Sequence, residues 1–173
     1  MNSEPTDHQI RRIRTADAQD IAKMVDQDRY WTPRCLQKIL RRIEKLNNEN
    51  VDEAVKAGLS ALELLEKLQA PSADLKALTL SVHASTLRYA QRPTDALAVY
   101  ERAYSLPGLS RKGKGDVLSR MAVTLVCLGR VSEGLQTIET ALEQVSDAVS
   151  VLAVRGWARM LAGDHIRAFD DCM

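Results

Sequence analysis

The sequence predicts an all-helical protein, and composition gives the first reason. Leucine and alanine, which favour helices, are its commonest residues, whereas only 4% of the 173 residues are aromatic and a single one is Phe. A β-rich protein needs aromatic and β-branched side chains to fill the faces of its sheets. The second reason is the hydrophobic spacing, because apolar residues recur every three or four positions, as at Leu36, Ile39, Leu40, Ile43 and Leu46.

Start and stop signals divide the chain into short helices. Thr15 is expected to cap the first helix, and Thr32 followed by Pro33 marks the start of the second. Later breaks fall at Pro71 and Pro107, and the glycine-containing stretch SRKGKGD at residues 110–116 is interpreted as a flexible basic linker. The predicted helices cover residues 16–29, 33–46, 51–68, 75–90, 94–105, 116–128, 131–145, 148–162 and 165–173.

An internal repeat is the most informative pattern in the sequence. Gly129 and Gly163 each end a helix and recur with a period of about 34 residues. Before the first of them, the large residue Leu118 is followed four positions later by the small residue Ala122. Because two helices approach closely only where small residues face each other, this pattern predicts paired helices that stack on neighbouring pairs.

The pattern resembles the tetratricopeptide repeat (TPR), a unit of two helices with a glycine at the turn. The best match is residues 151–173, which contain RGWARMLAGDHIRAF, and the second best is residues 116–141. Residues 75–107 match in the second helix, DALAVYERAYSLP, with Gln91 in place of the turn glycine, and residues 34–67 match weakly. The resemblance implies antiparallel helix pairs stacked as a short right-handed solenoid.

The resemblance also predicts the domain organisation. Residues 1–14 are expected to form a flexible arm and residues 15–33 an N-terminal helix. Residues 34–173 would form the TPR-like domain, and its last repeat is incomplete. Since a solenoid needs a polar helix at each end, we expect another chain or a further helix to cover the apolar C-terminal end.

Simple sequence signals exclude several classes of protein. The formal net charge of +1 argues against a general binder of nucleic acid. No apolar stretch is long enough for a membrane span, and the N-terminus has no signal-peptide pattern. The three cysteines form no C-x-x-C pair, which favours a cytoplasmic protein without a zinc site, and Cys127 is interpreted as a small buried hydrophobe.

No set of residues predicts catalysis, a metal or a cofactor. The histidines His8, His83 and His165 lie far apart in the sequence, and His83 is interpreted as a hydrogen-bonded core residue. The neighbouring carboxylates Asp170 and Asp171 are expected to lie on a solvated face or to interact with a helix dipole. Phosphate-binding and hydrolase motifs are absent from the sequence, so we expect a protein that is not an enzyme.

The resemblance implies that the first helix of each pair lines a concave groove, basic at its N-terminal end and apolar at its C-terminal end. Two alternatives stay open. The basic stripe on the first unit could instead be a solvated helix face, and the apolar residues of the last unit could pack within the fold. The candidate binding residues are Arg34, Lys38, Arg41, Lys45, Ser85, Arg88, Tyr89, Arg120, Val123, Trp157 and Met160.

Two functions are therefore considered. The first is an adaptor or scaffold that binds a protein or peptide segment in the groove, where the basic end would suit an acidic partner. The alternative is the sensor part of a bacterial transcriptional regulator or a nucleic-acid-associated protein, which would use Arg11, Arg12, Arg14 and the basic stripe on phosphates. The balanced charge disfavours nucleic acid as the partner, and we expect no membrane association.

Overall fold

The computed structural model describes residues 12–27, 31–144 and 149–172, which form helices and turns without a strand. Residues 1–11 of the predicted arm, residues 28–30 and 145–148, and Met173 lie outside the described residues. The helices are α1 (Ala18–Gln27), α2 (Pro33–Glu49), α3 (Val51–Lys67), α4 (Ala73–Tyr89), α5 (Pro93–Tyr104), α6 (Arg111–Cys127), α7 (Val131–Gln144), α8 (Val149–Leu161) and α9 (His165–Cys172).

The helices stack as pairs, so the predicted all-helical, TPR-like solenoid is confirmed. Helices α2 and α3, α4 and α5, α6 and α7, and α8 and α9 pack against each other. The first helices also pack side by side, α2 on α4, α4 on α6 and α6 on α8, while the second helix of each pair contacts the first helix of the next. Helix α1 packs on α3 at the N-terminal end of the stack.

Side-chain caps explain where the helices begin. The Thr32 hydroxyl accepts a hydrogen bond from the backbone N–H three residues ahead at 3.3 Å, and Pro33 occupies the first helical position. Asn50 and Ser72 make the same contact, each at 3.2 Å, at the starts of α3 and α4. Each cap satisfies a backbone donor that the first turn of a helix leaves unpaired.

The N-terminal segment differs from the prediction in two ways. Residues 12–15 form a helical turn in which Ile13 is buried, so the flexible arm predicted for residues 1–14 does not extend this far. Thr15 belongs to that turn and does not cap the first helix. Asp17 caps it instead, accepting a hydrogen bond from the Asp20 N–H at 2.8 Å. Burial of Ile13 against the α1–α3 core holds the turn in place.

The interpretation of residues 110–116 as a flexible linker is wrong, because α6 begins at Arg111. The Ser110 hydroxyl accepts a hydrogen bond from the Gly113 N–H at 3.0 Å and so caps the helix. A Cβ at Gly113 would lie 2.5 Å from the Asp74 Oδ1 atom. This glycine therefore permits the close approach of α6 to the start of α4, a packing role that outweighs its low helix propensity.

The glycines at the turns and contacts act as the repeat predicts. Gly129 and Gly163 have φ of 76° and 82°, the left-handed region that ends many helices. Gln91 replaces the turn glycine and adopts φ of 58°, a conformation that costs a residue with a Cβ about 1 kcal/mol. A Cβ at Gly134 would lie 2.7 Å from Val126 Cγ2, which confirms that α6 and α7 meet at small residues.

The core is a row of three apolar clusters along the stack. The first joins α1, α2 and α3, the second is centred on α4 and α5, and the third joins α6, α7 and α8. The prediction that Cys127 is a buried hydrophobe is wrong, because the residue is exposed. Leu125 and Val126 just before it are buried, and consecutive helix positions point in different directions, so the whole apolar run cannot face one neighbour.

The last helix pair is held by a charge cluster that sequence reasoning missed. The Asp171 carboxylate on α9 pairs with Arg155 at 2.6 Å and Arg159 at 2.8 Å, both on α8. Its side chain is 3% exposed, so the expectation of a solvated or dipole role is wrong for Asp171. Glu139 on α7 contacts the same two arginines, and the cluster ties three helices together.

Candidate binding groove

The first helices of the pairs line an open cavity of about 530 Å³ on one side of the stack. Helices α4 and α6 form its walls, and Val154 on α8 extends it toward the C-terminal end. Leu78 on α4 and Val123 on α6 supply apolar lining, so the structure brings Val123 into the predicted groove. Successive first helices thus share the lining of this cavity.

Ser81 is a buried hydroxyl residue of this cavity. Its residue is 2% exposed, it lines the cavity, and its Oγ atom has no hydrogen-bond partner among the described residues. A buried hydroxyl without a partner costs free energy. Because the Oγ atom is itself buried, solvent in the open cavity does not satisfy it.

Arg120 joins α6 to α2 across the middle of the groove. Its Nη2 atom pairs with the Glu44 carboxylate at 2.9 Å, and its Nη1 atom donates to Ser85 Oγ at 3.3 Å. Ser85 is buried and also hydrogen-bonds to the Tyr100 hydroxyl at 2.8 Å. Burial raises the pKa of Tyr100 despite this hydrogen bond. Two predicted contact residues, Ser85 and Arg120, thus make internal contacts that partly neutralise the centre of the groove.

Arg88 and Tyr89 lie together at the C-terminal end of α4. The Arg88 guanidinium carbon sits 4.5 Å from the centroid of the Tyr89 ring, a cation–π contact. The Arg88 Nε atom is buried and has no hydrogen-bond partner within the described parts of the chain. Tyr89 is exposed, so its ring is accessible to a partner.

The basic stripe on α2 separates into two parts. Lys38, Arg41 and Lys45 line a second cavity of about 240 Å³, whereas Arg34 lies outside it. Arg14 and Arg42 complete its lining together with Ile13. Arg42 was missed because it falls off the stripe, and the signal that could have found it is the Arg41-Arg42 pair. Arg11 lies outside the described residues.

The apolar C-terminal end is partly packed within the fold. Trp157 is half-buried against the third core cluster, while Met160 is exposed. Leu161 next to it is also exposed. That another chain or a further helix covers this end stays a prediction.

No cluster of three or more His, Cys, Asp or Glu side chains suited to a metal ion occurs within residues 12–27, 31–144 and 149–172. None of the helices in those ranges is both long and apolar enough to cross a bilayer. The absence of a cofactor and of catalysis stays an expectation from the sequence.

His83 is a buried histidine with an altered pKa. It packs against Gly58, where an added Cβ would lie 2.8 Å from Nδ1, and this nitrogen has no partner among the described residues. The predicted burial is found, but the hydrogen bond expected for the side chain is missing at this atom. Burial lowers the pKa of His83 below its usual 6.5, and the positive charge of Arg92 lowers it further.

We expect this histidine to make the protein less stable in mild acid. Because the folded-state pKa lies below that of the unfolded chain, the unfolded state binds the proton first as the pH falls. The free energy of unfolding should drop between about pH 7 and pH 5, with a slope of up to about 1.4 kcal/mol per pH unit. Urea titrations at several pH values measure this slope. His83→Gln should flatten it, whereas replacement of the exposed His165 by glutamine should not; equal slopes in all three proteins would contradict the assignment.

No family model and no curated protein sequence matches the chain, whereas chains of solved structures do, among them two of MamA and one of YrrB. The chain has a TPR-like fold. It is similar to one structure of MamA, with TM-score 0.57, 13% identity and coverage of 90% of this chain and 82% of the other.

Two further structures agree. A second structure of MamA gives TM-score 0.56 and 13% identity, covering 89% of this chain and 76% of the other. The third is YrrB, described as a TPR protein with an unusual peptide-binding site. It gives TM-score 0.50 and 16% identity, covering 80% of this chain and 73% of the other. At these identities the likeness concerns the fold alone.

Proposed function

We propose that this protein is a non-enzymatic interaction module, an adaptor or scaffold that binds a partner protein segment in its concave groove. The observation that carries the proposal is the open cavity of about 530 Å³ between α4, α6 and α8. Its lining combines apolar side chains, the exposed Leu78 and the half-buried Val123, with polar residues such as Asp116 and Ser119. Apolar contact gives affinity and a few polar groups fix orientation, as in peptide-binding grooves generally.

The dimensions of the groove suit a short extended segment. Packed helices lie about 8–10 Å apart, so the three helices α4, α6 and α8 span about 20 Å. An extended chain crosses that distance in about six residues. The peptide-binding site described for the similarly folded YrrB supports a peptide as the ligand.

The charge of the groove defines the partner that we propose. The α2 end carries Arg34, Lys38, Arg41 and Lys45, and the α8 end carries Val154, Trp157 and Met160. Arg120 in the centre is held by Glu44. We therefore propose that the partner segment is acidic toward the α2 end and apolar toward the α8 end.

A charge placed in the cavity should weaken peptide binding. Peptides selected from a random display library against the wild-type protein are titrated against Leu78→Arg, which we expect to weaken binding at least tenfold by burying an unpaired charge. The matched control is Leu59→Arg. Leu59 on α3 is 50% exposed, compared with 36% for Leu78, and does not line the cavity. Equal loss in both variants, or in neither, would reject the groove.

The alternative of a nucleic-acid-associated protein predicts a different ligand. It requires binding of RNA or DNA that weakens steeply as salt rises, because phosphate contacts release counterions. In the same binding assay at low salt, we expect no measurable affinity for a mixed RNA or duplex DNA. Saturable binding with a steep salt dependence would favour the alternative over the adaptor.

A further inference from the structure

The cavity beside α2 has an unusual lining. Its volume is about 240 Å³, and five of its six lining residues are cationic: Arg14, Lys38, Arg41, Arg42 and Lys45. The sixth, Ile13, is buried and belongs to the turn that packs beside α2. We name this cavity the basic pocket. It is separate from the groove cavity, which is lined from α4, α6 and α8 and shares no residue with it.

Arg42 is held rigidly in the basic pocket. Its Nε atom donates to the Ala16 carbonyl at 2.9 Å, and its Nη1 atom pairs with Glu49 at 2.8 Å. The side chain is only 14% exposed. These contacts fix the plane of the guanidinium, and the remaining Nη2 atom makes no hydrogen bond to a described residue. A guanidinium fixed in this way loses little entropy when an anion binds.

The other four cations, Arg14, Lys38, Arg41 and Lys45, form no ion pair with a described residue. The described chain holds eleven ion pairs, and one of them joins Arg42 of the pocket to Glu49. Glu49 offsets one of the five charges through Arg42. Four positive charges therefore line one small cavity. Arg14, Arg41 and Lys45 are exposed to solvent, which weakens their mutual repulsion, but the remaining repulsion favours the binding of an anion.

We propose that the basic pocket binds a single phosphate group. A phosphate monoester carries a charge near −2 at pH 7 and offers three acceptor oxygens, which suits several converging donors, whereas a carboxylate carries one charge and two oxygens. Arginine forks bind phosphate in a bidentate manner, and three of the five cations are arginines. The cavity is several times the volume of one water molecule, about 30 Å³, so a phosphate group fits. The pocket lies outside the apolar cavity, but its Lys38, Arg41 and Lys45 are also the cations to which the acidic end of the partner segment is proposed to bind, so the two proposals share these residues.

The test is calorimetric titration of the whole protein with inorganic phosphate at constant ionic strength and about pH 7.5, where phosphate is mainly a dianion. We expect saturable binding with one site per chain. Lys38→Ala and Arg41→Ala should each weaken it about tenfold, because each removes a charged contact. The matched control is Arg34→Ala. Arg34 lies on the same helix one turn before Lys38 and outside the pocket, so its loss should change the affinity less than twofold.

The outcomes separate a pocket from a diffuse positive face. If Arg34→Ala weakens binding as much as Lys38→Ala, or if acetate binds as well as phosphate, the basic pocket is only a charged surface and the proposal fails. Titration with a phosphoserine peptide and its unphosphorylated form then identifies the source. Tighter binding of the phosphopeptide than of inorganic phosphate indicates a phosphorylated partner, and equal binding indicates free phosphate; both support the pocket. Circular dichroism confirms that each variant is folded.

Discussion

Replacement of Tyr100 by alanine is expected to lower the free energy of unfolding by about 3–5 kcal/mol. Tyr100 is among the largest fully buried side chains and lies in the second cluster, between α4 and α5. Its removal leaves a cavity that neighbours such as Ala84 and Ala103 are too small to fill. Urea denaturation, monitored by circular dichroism, measures the change. The comparison requires that the unfolding free energy depends equally steeply on urea concentration in the two proteins.

Two further variants separate the causes of this loss. Tyr104→Ala, on the same helix one turn later and exposed, should cost less than about 0.5 kcal/mol. Tyr100→Phe keeps the ring but loses the hydrogen bond to Ser85, and should cost about 1 kcal/mol. A loss for Tyr100→Ala no larger than that for Tyr104→Ala would show that the second cluster is not the packed centre of the stack.

Local signals explain why much of the fold follows from the sequence. Helix ends are set by residues close to them in the sequence: Thr32 and Pro33 start a helix, and Gly129 and Gly163 each end one. Their effect can therefore be predicted without knowledge of the fold. Gly113 is different. It allows a close contact with Asp74, which is distant in the sequence. The neighbouring residues alone therefore predict a flexible linker at Gly113.

The same distinction applies to the binding residues. Helical spacing indicates which residues of one helix share a face, and in the structure Leu78 and Val123 line the same cavity. It does not reveal that Arg120 reaches Glu44, since the two lie 76 residues apart in the sequence. Nor does it reveal that a turn at residues 12–15 encloses part of the α2 stripe. Contacts between side chains of different helix pairs are visible only in the structure.

These contacts show that the basic residues along the groove do not form a uniform positive surface. A diffuse stripe would attract any anion, with a strength that salt easily screens. In this structure the cations differ in their surroundings. Arg120 forms an ion pair with Glu44, Arg34 lies outside the basic pocket, and Arg42 is held within the pocket by hydrogen bonds. The net charge of +1 conceals this arrangement. On our proposals, the apolar cavity holds a segment by its shape and the pocket recognises a phosphate group by geometry.

Replacement of Asp171 by alanine should release the last helix from the stack. Its carboxylate is 3% exposed and lies between Arg155 and Arg159, and its hydrogen bond raises the pKa of Arg155. Removing one partner of a buried ion pair leaves uncompensated charge and costs about 3 kcal/mol. Because each helix pair of a solenoid contacts only its neighbours, amide hydrogen exchange in α9 and the end of α8 should accelerate about a hundredfold while α4 and α5 stay protected.

Two neighbouring carboxylates make this prediction specific. Asp170 is adjacent in sequence but exposed, so Asp170→Ala should leave exchange in α9 within about threefold of the wild-type rate. Glu139 touches the same two arginines, but its side chain is 51% exposed, and Glu139→Ala should cost less than about 1 kcal/mol. If all three variants exchange alike, the ion pairs are surface contacts and α9 is held by apolar packing. If only Asp171→Ala accelerates exchange, burial of the carboxylate gives the pair its strength.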